Sequence, residues 1–110
     1  IHWDDRVERV RIATNDAAEI LELDLQITDD EVTNTDAYVG EAYGVVTPEC
    51  IAALKLVAQT EGIFLDPSYT SKAFAGLIDH IRQGIISSDE TVIFLHTGGT
   101  PALFAYNEEF

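Results

Sequence analysis

Thr91 to His96 reads Thr-Val-Ile-Phe-Leu-His, a run of β-branched and aromatic residues too short to make a helix of ordinary length. Near-continuous apolar character of this kind suits a strand buried on both faces, as in a parallel sheet covered by helices. Thr97-Gly98-Gly99-Thr100-Pro101 follows at once. It predicts a loop opening a short helix through Leu103 and Phe104, because threonine caps free backbone N–H groups and a first-position proline has no N–H to leave unpaired. A strand leading through a tight loop into a helix constrains the chain to an α/β class, with helices layered on a mainly parallel sheet. Ligands in such sheets gather at the carboxyl ends of the strands. The loop from Thr97 to Thr100 is so placed; Gly98 and Gly99 would let a ligand approach the backbone, and the helix start favours anions. The same residues also read as nothing more than a tight turn with a helix cap.

Upstream, spacings of three and four predict three helices. After Asp4 as cap, Val7, Val10, Ala13, Ala17, Ile20 and Leu21 share a face, with an end near Leu25. Thr47-Pro48-Glu49 starts a second helix that runs to about Glu61, turns Ile51, Leu54, Val57 and Ala58 inward, and stops at Gly62. A third helix, from about Thr70 to Gln83, buries Ala73, Phe74, Leu77, Ile78 and Ile81 and stops at Gly84. Between them, Ala37-Tyr38-Val39 reads as a short extended piece and Gly40 to Gly44 as a loop. Ile63-Phe64-Leu65 reads as a short buried run before the breaker Asp66-Pro67. At 110 residues the whole chain, 1–110, is one domain at most.

The charge balance excludes some partners. Twenty acidic residues against six basic ones give a net charge of −14, which repels nucleic acid. Only Lys55 and Lys72 are lysines. An acidic, lysine-poor surface is the habit of proteins from a high-salt cytoplasm, where screening relieves self-repulsion; an ordinary acidic domain is the other reading. No apolar run is long enough to cross a bilayer and no basic flank leads into an apolar leader, so a soluble cytoplasmic protein is expected. With Ile1 first and no methionine, the chain is expected to begin inside a longer reading frame.

Three polar clusters are candidates for chemistry: the loop around Tyr43, the segment Asp66-Pro67-Ser68-Tyr69-Thr70, and the turn Thr97-Gly98-Gly99-Thr100. A tyrosine at a helix start can be packing as well as catalysis. His2, His80 and His96 lack metal-site spacing, Asp29-Asp30-Glu31 lacks the spacing and glycine of a calcium loop, and the single Cys50 is expected to be a buried, inert thiol. No Gly-x-Ser-x-Gly nucleophile or Gly-Lys-Ser/Thr phosphate loop occurs.

The run from Thr60 to Asp79, containing Leu65-Asp66-Pro67-Ser68-Tyr69-Thr70-Ser71-Lys72-Ala73, resembles the segment that opens a late helix in the D-cysteine desulfhydrase and ACC deaminase family. Phe94 to Tyr106, with His96-Thr97-Gly98-Gly99-Thr100-Pro101, is similar to that family's C-terminal end. With the tyrosine loop and Thr47-Pro48-Glu49, the likeness covers roughly residues 38 to 106, and the first helix is compatible with it. The resemblance implies a tryptophan synthase β-like fold using pyridoxal 5'-phosphate, with the cofactor's lysine and phosphate loop both upstream of this chain. Neither Lys55 nor Lys72 stands at that lysine's position.

By the same resemblance, Tyr69 faces the substrate as an acid, base or nucleophile, and Tyr43 lines the same pocket. A phenol there would exchange a proton if nearby positive charge lowered its pKa from about 10. Thr97 would bond the pyridine nitrogen, with Gly98 beside it. Thr70 stands where ACC deaminases carry a glutamate, which favours α,β-elimination over ring opening, because a hydroxyl does not keep the ring protonated. The implied activity is a D-cysteine desulfhydrase-like lyase giving pyruvate, ammonia and sulfide. Its partners would be an amino-acid substrate, the N-terminal part of the protein, and a second copy. The chain alone is expected to be inactive. ACC deaminase activity and a non-catalytic binding domain are the alternatives. Ala42, Ser68 and Ser71 depart from the family's usual glycine, valine and glycine, and the first bears on the shape of the tyrosine loop.

Overall fold

The computed structural model describes residues 4–110, so His2 lies outside the described residues. The chain groups into two compact units, one ending at Asp36 and the other spanning Ala37–Phe110.

In the first unit, α1 (Arg6–Ile20) buries only Ala18. The face expected to be covered is largely open, with Ile20 80% exposed and Leu21 67%. The helix stops five residues before Leu25 because Glu22 turns left-handed at φ 55°, which lets the Leu23 N–H close back on the Ala18 carbonyl. A sequence seldom signals that turn without glycine. Asn15 then clamps the returning chain, donating to the Ile27 carbonyl and accepting from its N–H. Arg11 pairs with Asp29 at 2.7 Å, at the head of a one-turn 3₁₀ helix (Asp29–Glu31).

In the second unit, α2 (Pro48–Glu61) has the expected ends. Thr47 Oγ1 accepts from the Cys50 N–H, Pro48 stands at the first turn, and Gly62 closes the helix at φ 68°. Its buried face, Cys50, Ala53, Leu54 and Val57, packs against α3 (Thr70–Arg82). Cys50 is fully buried, its thiol donates to the Pro67 carbonyl at 3.1 Å, and burial pushes its pKa up, so it is the inert thiol expected.

The buried face of α3 is not the expected one. Thr70, Ser71, Lys72, Ala75 and Gly76 turn inward, while Ala73 is exposed, Ile81 is 52% exposed, and Leu77 and Ile78 are half-buried. The covered stripe is mostly of small residues, with the Tyr38 ring over Gly76, and the bulky stripe stays partly uncovered. Only Leu65 of the Ile63-Phe64-Leu65 run is buried.

No strand forms among the described residues, and so the expected sheet is not built. Ala37-Tyr38-Val39 is a turn, and Thr91 to Gly99 carries no regular element, with Ile93 89% and Leu95 78% exposed. A strand exists only by bonding to a neighbour, and none of these segments finds one among the described residues. Phe94 is the half-buried member of the run, edge-on to Phe74 at 4.9 Å. Thr100–Phe104 is a 3₁₀ turn, opened by Pro101 as expected, and Asn107–Glu109 is another.

Tyr38 locks the start of this unit onto α3. Its ring lies over Gly76, its hydroxyl donates to Asp79 Oδ2 at 2.6 Å, and that bond raises the phenol's pKa. A Cβ on Gly76 would sit 2.8 Å from the ring, which Asp79 holds in place. Gly76→Ala is therefore expected to destabilise the protein by about 1–2 kcal/mol despite alanine's better helix propensity, as read from chemical denaturation.

Candidate active site

The loop carrying Tyr43 is pinched at its base. Gly40, at φ 80°, lies so close to Thr47 that a Cβ there would come within 2.7 Å of the threonine methyl. Within the loop the Val45 N–H bonds back to the Ala42 carbonyl, and Ala42 is outside the left-handed region, so alanine is tolerated where the family's usual residue is glycine. Gly44, at φ 77°, carries the chain past the Tyr106 hydroxyl, which would lie 3.1 Å from a Cβ at that position. Tyr43 therefore stands out at the loop tip, 68% exposed.

Tyr69 stands at the start of α3, 54% exposed. The two phenols meet: their hydroxyls are hydrogen-bonded and the ring centroids lie 5.8 Å apart. The bond to Tyr43 raises the Tyr69 pKa, and burial and the nearby Tyr43, Asp66 and Tyr106 add to it. In these surroundings Tyr69 holds its proton.

Behind Tyr69 lies a residue whose part the sequence did not disclose. Asp66 is fully buried. Its Oδ2 accepts from the N–H groups of Ser68 and Tyr69, and its Oδ1 from the N–H and hydroxyl of Thr70, all at 2.7–2.8 Å. Burial alone would raise its pKa, but the bonds from Thr70, Tyr69 and Ser68 outweigh it and hold the carboxyl below its ordinary value. Asp66 caps α3 from four residues before its first helical position. The cap next to the helix, Tyr69, makes no such side-chain bond, so a search for an adjacent capping residue misses Asp66. Thr70 is buried, and its hydroxyl also accepts from the Asp66 N–H.

The third cluster rests on the same carboxylate. Gly99, at φ 89°, passes so close that a Cβ there would fall 2.7–2.9 Å from Asp66 side-chain atoms. His96 and Thr100 brace the turn: Nε2 of the one and the hydroxyl of the other bond the Phe64 carbonyl, and His96 Nδ1 accepts the Gly98 N–H. Thr97 is exposed, and a Cβ at Gly98 would meet nothing within 4 Å. Asp66 therefore joins Tyr69, Thr70 and the Thr97-Gly98-Gly99 turn into one assembly, to which Tyr43 is added through Tyr69. His80 packs edge-on to Tyr38, and no group of metal-ligating side chains occurs among the described residues.

Residues 4–98 match the family model described as pyridoxal-phosphate dependent enzyme, and the chain belongs to that family. The match reaches back through α1, well before residue 38, and ends at residue 98, short of residue 106. The chain is 45% identical over 103 residues to a D-cysteine desulfhydrase of Klebsiella pneumoniae, covering 94% of this chain and 30% of that protein. It is 49% identical over 79 residues to one of Yersinia pestis, covering 72% of this chain and 24% of that protein. A crystal structure described as an ACC deaminase homologue superimposes with a TM-score of 0.76 at 31% identity, over 99% of this chain and 32% of that one. The chain thus spans less than a third of the length of the relatives it matches.

Family membership brings pyridoxal phosphate, and the residues present fit one side of it. The open space over Gly98, beside an exposed threonine hydroxyl, admits a flat ring edge against the backbone. The start of α3 does not fit a phosphate, because the Asp66 carboxylate already takes its N–H groups. Lys55 is exposed on α2, and Lys72 is buried with its ammonium on the Val39 carbonyl. No helix among the described residues is long and apolar enough to cross a membrane.

Proposed function

We propose that this chain is the C-terminal part of a D-cysteine desulfhydrase-like lyase, supplying the substrate side and the pyridine side of a site whose lysine and phosphate loop lie in the preceding part of the protein. The observation that carries the reading is the hydrogen-bonded Tyr43–Tyr69 pair, joined through Asp66 to the Thr97-Gly98-Gly99 turn. The identity to D-cysteine desulfhydrases supports it.

In this reading pyridoxal phosphate, when bound, draws electron density from the substrate's α-carbon. Thr97 would hold the ring nitrogen, and Gly98 would let the ring lie close to the backbone. Tyr69, keeping its proton, donates it at the departing sulfur, and Tyr43 orients that phenol. Thr70 brings no carboxylate to the site, and its own hydroxyl is engaged with Asp66. The neighbouring Asp66 does not replace one, since its oxygens are already taken by four donors. A ring nitrogen facing a hydroxyl favours elimination from D-cysteine, to pyruvate, ammonia and sulfide, over opening a cyclopropane. The exposed apolar residues, Ile93 and Leu95 among them, support burial in a sheet completed by the rest of the protein and by a second copy.

The test is to assay the full-length protein with D-cysteine and with 1-aminocyclopropane-1-carboxylate, in low and in molar KCl. Faster turnover of D-cysteine is expected, rising with salt because screening relieves a net charge of −14 on this part alone. Faster turnover of the cyclopropane would overturn the use of Thr70. The 110-residue chain alone, mixed with pyridoxal phosphate, is expected to show no turnover of D-cysteine.

A further inference from the structure

Lys72 is 7% exposed, and its ammonium donates to the Val39 carbonyl at 2.5 Å. The carboxylates found in ion pairs among the described residues all pair with arginines of the first unit. The Val39 carbonyl is the acceptor that this largely buried side chain reaches. What it fixes is the base of the tyrosine loop. Val39 precedes Gly40, and Gly40 is pressed against Thr47, the far end of the loop. A Cβ on Gly40 would lie 3.6 Å from the Lys72 Nζ, so the ammonium sits beside the near end of the loop, which is itself pressed against the far end. Lys72 is on the first turn of α3, one turn beyond Tyr69. One side chain thus ties the loop that carries Tyr43 to the helix start that carries Tyr69.

We propose that Lys72 is a positioning residue: its ammonium, seated on the Val39 carbonyl, sets the register in which the Tyr43 hydroxyl meets that of Tyr69. The significance of this for turnover rests on the desulfhydrase reading, while the geometry does not.

The test uses the full-length protein. Photo-oxidation with a ruthenium trisbipyridyl complex and persulfate couples neighbouring phenols, and peptide mapping by mass spectrometry identifies the pairs. The wild type is expected to give the Tyr43–Tyr69 cross-link, and Lys72→Met to reduce its yield several-fold, with kcat on D-cysteine falling roughly tenfold and KM little changed. Lys55→Met, on the exposed face of α2, is expected to leave both unchanged. If Lys72→Met does not fold, Lys72→Gln keeps an N–H donor but is too short to reach Val39 without moving the loop, and the same loss is expected. A folded variant at Lys72 with full cross-link yield would overturn the proposal, as would a wild type that forms no such cross-link. A cross-link that depends on Lys72 in a protein inert toward D-cysteine would sustain the positioning role and sink the desulfhydrase reading instead.

Discussion

Asp66→Ala is expected to destabilise the protein by about 3–5 kcal/mol. Alanine leaves the N–H groups of Ser68, Tyr69 and Thr70 without their acceptor, and Thr70 is buried where water does not replace it. It also opens a void under Gly99, whose close approach is shaped to the carboxylate. Asp66→Asn keeps the volume but turns one acceptor into a donor facing N–H groups, so it is expected to cost nearly as much. The effect depends on pH with a definite sign. The carboxyl is held below its ordinary value in the folded protein, so its contribution is whole above the unfolded value of about 4 and is lost as pH falls through the folded value. Denaturation of wild type and Asp66→Asn between pH 3 and 7 should show the gap closing only at the acid end. A gap independent of pH would mean that the charge on Asp66 is not what holds α3 and the turn together.

What the sequence discloses depends on how local the cause is. Both ends of α2 are legible because Thr47, Pro48 and Gly62 act within one turn of the helix they bound. The end of α1 is not, because the left-handed residue is Glu22 and no glycine marks it. The burial pattern of α3 is misread because periodicity gives the apolar stripe but not which stripe the surrounding segments cover, and the covered one is Thr70, Ser71, Lys72, Ala75 and Gly76. Thr91 to His96 has the composition of a strand, yet strand pairing is a contact with a distant segment, and none forms among the described residues. The candidate site divides in the same way. Tyr43, Tyr69, Thr97 and Gly98 are visible through the likeness of short motifs to a family, but nothing local says that two phenols 26 positions apart are hydrogen-bonded. In the sequence Asp66 reads as a breaker beside Pro67 and as a member of a polar cluster. Its role as the cap of α3 and the seat of Gly99 needs two further segments to be brought to it.

On the proposed desulfhydrase reading, Tyr69→Phe is expected to lower kcat of the full-length protein on D-cysteine by about 10²-fold or more, with KM little changed, because it removes the proposed proton donor and leaves the ring in place. Tyr43→Phe is expected to be milder, since it removes the partner and keeps the donor. The two differ most clearly in pH dependence. Hydrogen bonding to Tyr43 is the largest cause holding the Tyr69 phenol above its ordinary value, so the donor form persists past pH of about 10 and the rate should decline only beyond it. Without Tyr43, the remaining causes are burial and the fields of Asp66 and Tyr106, and the phenol should ionise earlier. The alkaline limb of kcat for Tyr43→Phe is therefore expected to move toward lower pH, while at neutral pH most of the rate is retained. In Tyr69→Phe that limb should vanish with the group that makes it. A limb unmoved in Tyr43→Phe would separate the two phenols functionally and assign the alkaline decline to some other group.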